Sequence, residues 1–259
     1  MQKNYSLPAL LLLITLFSCK PLPVSSDEDP MGRKDVYEPV SYYTFDSMNA
    51  DDVSGHECHG YCVEGATYTD DTPSGSGRAL FINGFKNQYV SIPYNVFAGK
   101  VTYSIAFWIK DFSKGPIISA ISSEYPRCDY PRIIAGESQF TFYTCYDNYN
   151  TTEPFVYNIT PILSPDWHHV AVTCENNGSL GSALKCLYID GKLIDKKQGY
   201  SSAYVNRYGW DEDIITTVQI GGNRNGYYDI TPSMKIDNIR FYTSAISLSH
   251  IKELFEEKK

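Results

Sequence analysis

Short apolar runs rich in Val, Ile, Phe and Tyr, separated by Gly, Asn, Asp or Pro, make up most of this chain. The clearest run, residues 103–110, alternates. One face carries Tyr103, Ile105, Phe107 and Ile109, and the other carries Ser104, Ala106, Trp108 and Lys110. A period of two is typical of a β-strand with one buried face. The chain is therefore expected to be all-β, as a two-sheet antiparallel β-sandwich.

Local signals mark a hairpin and one helix. Asp190 and Gly191 separate two strand-like runs, and this pair favours a type I′ turn because both central residues need a positive φ. Ser247 is a suitable N-cap for a short C-terminal helix. The apolar residues that recur there at helical spacing are Leu248, Ile251, Leu254 and Phe255.

The N-terminus has the composition of an export signal. An apolar run over residues 7–17 follows Lys3 and is too short to cross a bilayer as a helix. The run ends at Ser18-Cys19, which resembles the lipobox of bacterial lipoproteins. We therefore expect residues 1–18 to be a signal peptide and Cys19 to be the lipid anchor; the alternative is an ordinary secreted protein with a chance cysteine.

Residues 19–36 are polar, contain several prolines and have too little apolar content to fold. They are interpreted as a lipidated flexible tether to one domain over residues 37–259. Acidic residues at 27–29 resemble the surface-export signals of some Gram-negative lipoproteins. The expected location is the bacterial cell envelope, lipid-anchored to the outer membrane and exposed at the surface.

The charge of the chain argues against nucleic acid as a partner. The formal net charge is -8, and removal of the signal peptide would take away one further lysine. A negative surface repels phosphate backbones. Contact with a membrane is expected through the lipid anchor only.

Several sequence blocks resemble laminin-G-like jelly-roll domains of the concanavalin A-like lectin and glucanase superfamily. The blocks occur in the order expected of that family and cover nearly the whole mature chain; they include residues 43–46, 77–84, 105–110, 167–173, 187–193 and 236–242. The resemblance implies a jelly roll. It says little about activity, since this fold carries many functions.

Six cysteines follow Cys19, and disulfides are expected in an exported chain. A two-residue turn at Gly136-Glu137 would pair Ala135 with Ser138 and bring Cys128 opposite Cys145. Pro131 would then need an edge or a bulge. A second bridge is expected between Cys174 and Cys186, with Val172 opposite Tyr188.

Cys58 and Cys62 lie close together with His56 and His59. Two thiolates and two imidazoles are good zinc ligands, so a metal site is one interpretation. The other is a disulfide within the loop, which export to an oxidising compartment favours. The spacing lacks the second, distant ligand pair of a zinc finger, and the loop disulfide is the prediction.

No catalytic residues are expected. Glucanases of this superfamily carry Glu-x-Asp-x-x-Glu, because glycoside hydrolysis needs paired carboxyl groups. The nearest acidic cluster here, residues 211–216, has Ile214 at the central Asp position and lacks the second Glu. His168 and His169 accompany no recognisable nucleophile motif, and we expect them in a packed strand.

The resemblance also implies a structural calcium ion, because such domains often hold one. Asp46 and Asp52 lie in an early loop, and Asp237 lies on a late strand that can return beside the N-terminal strand. These three residues are the predicted ligands. The alternative is that they are solvated turn residues.

Two loops carry aromatic and polar side chains of the kind that bind sugars. Their candidate ligand-binding residues are Tyr208, Trp210, Asn223, Arg224, Tyr227 and Tyr228. The alternative is ordinary loop packing, since the chain has 22 tyrosines.

The sequence thus favours a non-catalytic, lectin-like module that binds carbohydrate for glycan capture or adhesion. The alternative function is a protein-binding or structural subunit of a surface assembly, with an envelope protein as its partner. A third, less favoured function is a glycoside-active enzyme with a site of a kind that the sequence does not reveal.

Overall fold

The computed structural model describes residues 37–85, 87–93, 96–97, 102–122, 131–143, 155–162, 164–176, 183–199, 215–222 and 231–257. All of them belong to one compact unit, Lys34–Lys259. Cys19, Cys128 and Cys145 lie outside the described residues. Within the described part of the chain, no helix is long and apolar enough to cross a membrane.

Fifteen described strands form two antiparallel sheets. The eight-stranded sheet contains β1 (Ser41–Tyr43), β3 (Thr67–Thr69), β4 (Ala79–Asn83), β6 (Tyr103–Lys110), β11 (His168–Asn176), β12 (Ala183–Ile189), β13 (Lys192–Gly199) and β15 (Ser233–Tyr242). The seven-stranded sheet contains β2 (Tyr61–Val63), β5 (Tyr89–Ile92), β7 (Gly115–Ser122), β8 (Arg132–Ala135), β9 (Gln139–Tyr143), β10 (Phe155–Asn158) and β14 (Ile215–Ile220).

The sheets pack face to face around one apolar core. The spatial order is β13-β12-β11-β6-β15-β4-β3, with β1 beside β15, in one sheet, and β10-β9-β8-β7-β14-β5-β2 in the other. Alternate residues of each strand point into this core; Ile105, Phe107 and Ile109 of β6 do so, as the alternating sequence predicts. The predicted all-β jelly-roll sandwich is confirmed.

A 3-10 turn, Thr160–Ile162, and helix α1, Leu248–Glu257, complete the described elements. The backbone N–H of His250 donates to Ser247 Oγ at 3.2 Å, so Ser247 is the predicted N-cap. Helix α1 buries Ile251 and Leu254 in a second apolar cluster on the outward face of the eight-stranded sheet. One outward face of the sandwich is therefore covered by a helix.

The hairpin at Asp190-Gly191 is also confirmed. These residues join β12 to β13 and have φ values of 50° and 72°. Both are in the left-handed region, as a type I′ turn requires.

The predicted turn at Gly136-Glu137 is wrong by two residues in register. Ala135 faces Phe140 and not Ser138, and the N–H of Gly136 donates to the carbonyl oxygen of Gln139 at 2.7 Å. The turn is therefore still a two-residue one, but it lies at Glu137-Ser138, one position further along the chain, because this hydrogen bond pairs Gly136 with Gln139. The expected pairing of Cys128 with Cys145 depended on a turn at Gly136-Glu137.

The predicted Cys174–Cys186 bridge is also wrong. In the pairing of β11 with β12, Cys174 faces Lys185 and Cys186 faces Thr173, so the register differs by one residue from the expected one. Neighbouring residues of a strand point to opposite faces of the sheet. Cys174 lies in the core, whereas Cys186 lies on the outward face with Thr173, and a bridge across the sheet is not possible.

The observed register predicts a disulfide that the native sequence does not form. Thr173→Cys should link spontaneously to Cys186 on oxidation, because the two side chains are cross-strand neighbours and already hydrogen-bonded. Peptide mapping without reductant would identify the linked peptides, and the double variant Thr173→Cys with Cys186→Ser is the control. A Cys174–Cys186 link in the native protein would contradict this register.

Candidate binding site

The six residues predicted to form a ligand site, Tyr208, Trp210, Asn223, Arg224, Tyr227 and Tyr228, all lie outside the described residues. The candidate site is the outward face of the seven-stranded sheet, whose central residues Ser91 and Ser119 are 3% and 0% exposed. Side chains alternate between the two faces of a strand, so a residue between two core residues faces outward. Ser91 lies between the core residues Val90 and Ile92, and Ser119 lies between the core residues Ile118 and Ala120.

Six outward residues form a continuous line across this sheet, which we call the polar row. Each member is the register partner of the next on the adjacent strand; in order they are Tyr61, Ser91, Gln219, Ser119, Arg132 and Tyr143. Register partners have Cβ atoms about 5 Å apart. The row therefore crosses six of the seven strands, nearly at right angles to them.

Two atoms at the centre of the row are unusual. Ser119 Oγ and Gln219 Oε1 are both buried, and neither has a hydrogen-bond partner among the described residues. A buried polar atom without a partner costs about 1–3 kcal/mol. Such atoms are rare in folded proteins, and each calls for a bound water or ligand. Here two of them lie on directly paired residues.

The backbone of Gly222 lies close to the side chain of Gln219. A Cβ atom at position 222 would lie 2.5 Å from Gln219 Oε1 and 2.9 Å from the Cβ of Tyr89. Both distances are too short for any other residue without movement of these side chains. A glycine at this position thus lets the backbone approach the row closely.

The ends of the row add aromatic and cationic groups. Tyr61 is 55% exposed at one end, and burial raises the pKa of the neighbouring Tyr89, so its phenol stays neutral and able to donate. Arg132 and Tyr143 form the other end, and the Arg132 nitrogens Nε and Nη2 are buried. The row therefore combines hydroxyl, amide, guanidinium and aromatic groups, and none of its members is a carboxylic acid.

Asp52, a predicted calcium ligand, organises its own loop. Its Oδ1 accepts the N–H groups of Tyr42 and Ser54 at 2.8 and 2.9 Å, and its Oδ2 accepts the Ser54 hydroxyl and the N–H of Cys58 at 2.9 and 3.0 Å. These hydrogen bonds lower the pKa of Asp52. Both of its oxygens are therefore already engaged by the protein.

Asp46 and Asp237 are close enough to repel each other. Asp237 is only 4% exposed, at a β-bulge where Asn238 takes a φ of 51°. Burial, reinforced by the charge of Asp46, raises the pKa of Asp237 to about 8. The three predicted ligands do not come together: within the described ranges, no group of three or more His, Cys, Asp or Glu residues could hold a metal ion.

The predicted loop disulfide between Cys58 and Cys62 is not formed in this structure, where both residues carry free thiols. Cys62 Sγ lies 2.9 Å from the hydroxyl of Tyr68, and Cys58 Sγ lies 3.7 Å from the carbonyl oxygen of His56. Burial raises the pKa of both thiols. His59, a zinc candidate, accepts the N–H of Asp52 at Nδ1.

Sequence reasoning missed the polar row. A local signal exists, since single polar residues interrupt apolar runs in Ile-Ile-Ser-Ala-Ile around Ser119 and in Val-Gln-Ile around Gln219. The residues that become neighbours are far apart along the chain, however, and only the sheet order brings them together.

Solved structures share this fold at low sequence identity. The binding domain of Paraclostridial Mosquitocidal Protein 1 has a TM-score of 0.61 and 16% identity, with 85% of this chain and 52% of that chain covered. The binding domain of botulinum neurotoxin DC, solved in complex with rat synaptotagmin II, has a TM-score of 0.55 and 16% identity, covering 86% and 52%. This chain thus spans about half the length of those two domains.

Domain 4 of AbnA, a GH43 extracellular arabinanase from Geobacillus stearothermophilus, was solved in complex with arabinotriose. It has a TM-score of 0.52 and 15% identity, with 84% of this chain and 98% of that chain covered.

No curated protein matches the sequence at a significant level. A family profile does match, over residues 83–252, which is more than half of the chain. Its description is the concanavalin A-like lectin/glucanases superfamily, and the matched region includes most strands of both sheets. The chain belongs to the laminin-G family of the concanavalin A-like lectin/glucanases superfamily.

Proposed function

We propose that this protein binds carbohydrate on the polar row of the seven-stranded sheet and does not cleave it. The observation that carries the proposal is the pair of buried polar atoms, Ser119 Oγ and Gln219 Oε1, without partners among the described residues. Sugar hydroxyls both donate and accept hydrogen bonds, so one ligand of this class could satisfy both atoms.

The dimensions of the row suit an extended oligosaccharide. Six strands separated by about 4.8 Å span roughly 24 Å, which is the length of several sugar units. Tyrosine rings at the two ends could stack on sugar faces, as aromatic side chains do in ligand sites. The hydroxyl and amide groups between the two tyrosines would orient the sugar through hydrogen bonds.

The chemistry of the row argues against glycoside hydrolysis. That reaction uses two carboxyl groups that flank the scissile bond. The six members of the row are two tyrosines, two serines, a glutamine and an arginine. The role proposed for this face is therefore capture without cleavage, in keeping with the absence of Glu-x-Asp-x-x-Glu from the sequence.

The solved neighbours support binding as a general role for this fold. The arabinanase domain was solved with a trisaccharide, and the neurotoxin domain was solved with a protein. A protein partner is the second candidate function. It is favoured by Met48 and Val53, apolar side chains of the loop after β1 that are 60% and 55% exposed.

We also propose that the domain is displayed at the bacterial surface by a lipid on Cys19, with residues 19–36 as a tether. The support is the resemblance of Ser18-Cys19 to a lipobox and the apolar run that precedes it. Such an anchor would hold a glycan-capturing module at the outer face of the cell.

A structural calcium ion remains a proposal, with Asp46 and Asp237 as its carboxylate ligands. Two carboxyl groups close together, one of them buried, repel each other, and a hard divalent cation would relieve that repulsion. Asp52 is not included, because its own loop uses both of its oxygens.

Ser119→Ala and Gln219→Met should each weaken carbohydrate binding about tenfold, the loss of one hydrogen bond of roughly 1.4 kcal/mol. Neither change should lower Tm, because neither atom has a protein partner among the described residues. An oligosaccharide array would identify the ligand, and affinity electrophoresis would measure the variants. Arabinan is the first polysaccharide to use.

Gln139→Met is the matched control. Gln139 is exposed on β9, on the same outward face but four residues along the strand from Tyr143. It should bind like the native protein. A blank array, or equal binding by all variants, would refute the proposal and favour a protein partner.

Asp237→Asn should be more stable than the native protein at pH 8 in chelator, by on the order of 1–3 kcal/mol. Because its pKa is raised to about 8, the Asp237 carboxyl contributes fully to the free energy of unfolding below about pH 4. That contribution is lost as the pH rises towards 8, where the buried carboxyl becomes charged. The difference between the two proteins should therefore vanish near pH 4. Thermal unfolding across this pH range measures it.

Added calcium should make the native protein more stable than Asp237→Asn at pH 8, because it should raise the Tm of the native protein and leave the Tm of the variant unchanged. A native Tm that does not respond to calcium would remove the metal proposal. A variant less stable than the native protein in chelator would contradict the buried, protonated state of Asp237.

A further inference from the structure

Three side chains at one end of the sandwich form a continuous hydrogen-bonded chain. Ser164 Oγ lies 2.6 Å from Nε2 of His168, and Nδ1 of the same ring lies 2.8 Å from Oδ2 of Asp190. A hydroxyl, an imidazole and a carboxylate joined in this order are the parts of a serine nucleophile with its general base. Neither the predicted sites nor the polar row includes them.

The fold holds the carboxylate and the imidazole rigidly. His168 is the first residue of β11 and is paired with Ile109 of β6. Asp190 lies in the type I′ turn, where its Oδ1 accepts the N–H of His169 at 3.0 Å and its own N–H donates to the carbonyl oxygen of His169 at 2.9 Å. The turn therefore aims Oδ2 at the imidazole.

The arrangement of these three side chains determines which atom donates in each hydrogen bond. An ionised Asp190 can only accept, so Nδ1 of His168 is the donor and Nε2 of the neutral ring is the acceptor. Ser164 then donates its hydroxyl proton to Nε2. Its oxygen in turn accepts the backbone N–H of Asp166 at 3.3 Å, a local hydrogen bond within the segment that precedes β11.

Access from solvent differs among the three residues in the way such chemistry requires. The side chain of His168 is 12% exposed and that of Asp190 is 32% exposed, whereas Ser164 is exposed. The base is shielded and the nucleophile can be reached.

We propose that Ser164 is a nucleophile for acyl transfer from small, exposed carboxylic esters, with His168 as the base and Asp190 as the residue that positions it. Oγ attacks the acyl carbon, its proton passes to Nε2, and the alcohol leaves with that proton as an acyl-serine forms. Water then attacks the acyl-serine and loses a proton to Nε2, which passes that proton to Oγ as the acyl–Oγ bond breaks and the carboxylic acid is released. No oxidant or cofactor is required. This activity is separate from the polar row and does not depend on it.

The first test treats the purified full-length protein with a fluorophosphonate probe and maps the labelled residue by mass spectrometry. Labelling at Ser164 is expected, and it should be lost on prior heat unfolding, because an isolated serine hydroxyl is a weak nucleophile. Absence of label at Ser164 in the folded native protein would overturn the proposal, and this result does not depend on any variant.

The second test measures hydrolysis of p-nitrophenyl acetate. Ser164→Ala and His168→Gln should each lower the rate about 100-fold, the usual contribution of a general base. Ser74→Ala is the matched control: Ser74 is an exposed loop serine hydrogen-bonded to Ser76, and its loss should leave the rate unchanged.

A purely structural role for this hydrogen-bonded chain predicts another pattern. The Ser164→Ala and His168→Gln variants would then lose thermal stability but hydrolyse the ester at the native rate. That pattern would overturn the proposal, whereas a lost rate with a retained Tm would establish it.

Discussion

The apolar core between the two sheets is the constraint on which the other features depend. Each strand must direct its alternate residues into that core, so the register of every strand pair is fixed wherever one face is buried. A slip of one residue would turn a whole apolar face outward. The same requirement decides which residues remain on the outward faces and which of them become neighbours.

The two outward faces that result are unlike each other. The eight-stranded sheet carries helix α1, which buries Ile251 and Leu254 against small residues of the sheet in a second apolar cluster. The seven-stranded sheet instead carries the polar row, with Ser119 and Gln219 at its centre. Buried polar atoms without a partner among the described residues occur on both sheets. Trp108 Nε1 and His169 Nδ1 belong to side chains packed against Phe255 of α1, whereas Ser119 Oγ and Gln219 Oε1 lie on a face that carries no described helix, where a bound ligand would offset their cost. That asymmetry is the basis for assigning the binding role to the seven-stranded sheet.

The sequence predicts the features that depend on local pattern, namely the strands and the turn at Asp190-Gly191. It does not predict which residues of distant strands lie opposite each other. Alternation gave the strands and the sandwich, and Asp190-Gly191 gave a turn whose φ values are local properties of those residues. The predicted Cys174–Cys186 pairing fails because the length of the connection between two strands does not determine their register, and a shift of one residue places the two thiols on opposite faces. Ser119 and Gln219 are 100 positions apart in the chain, so no spacing could have linked them.

Backbone amide NMR during titration with the oligosaccharide that binds best would test the central claim most directly. The account predicts that the largest shift changes, apart from any in loops, fall on β5, β14, β7 and β8 around Ser91, Gln219, Ser119 and Arg132, with little change in α1 or β13. Saturable shifts confined to the eight-stranded sheet or to the Asp190-Gly191 hairpin would contradict it, because the ligand would then bind elsewhere and the polar row would not be the site.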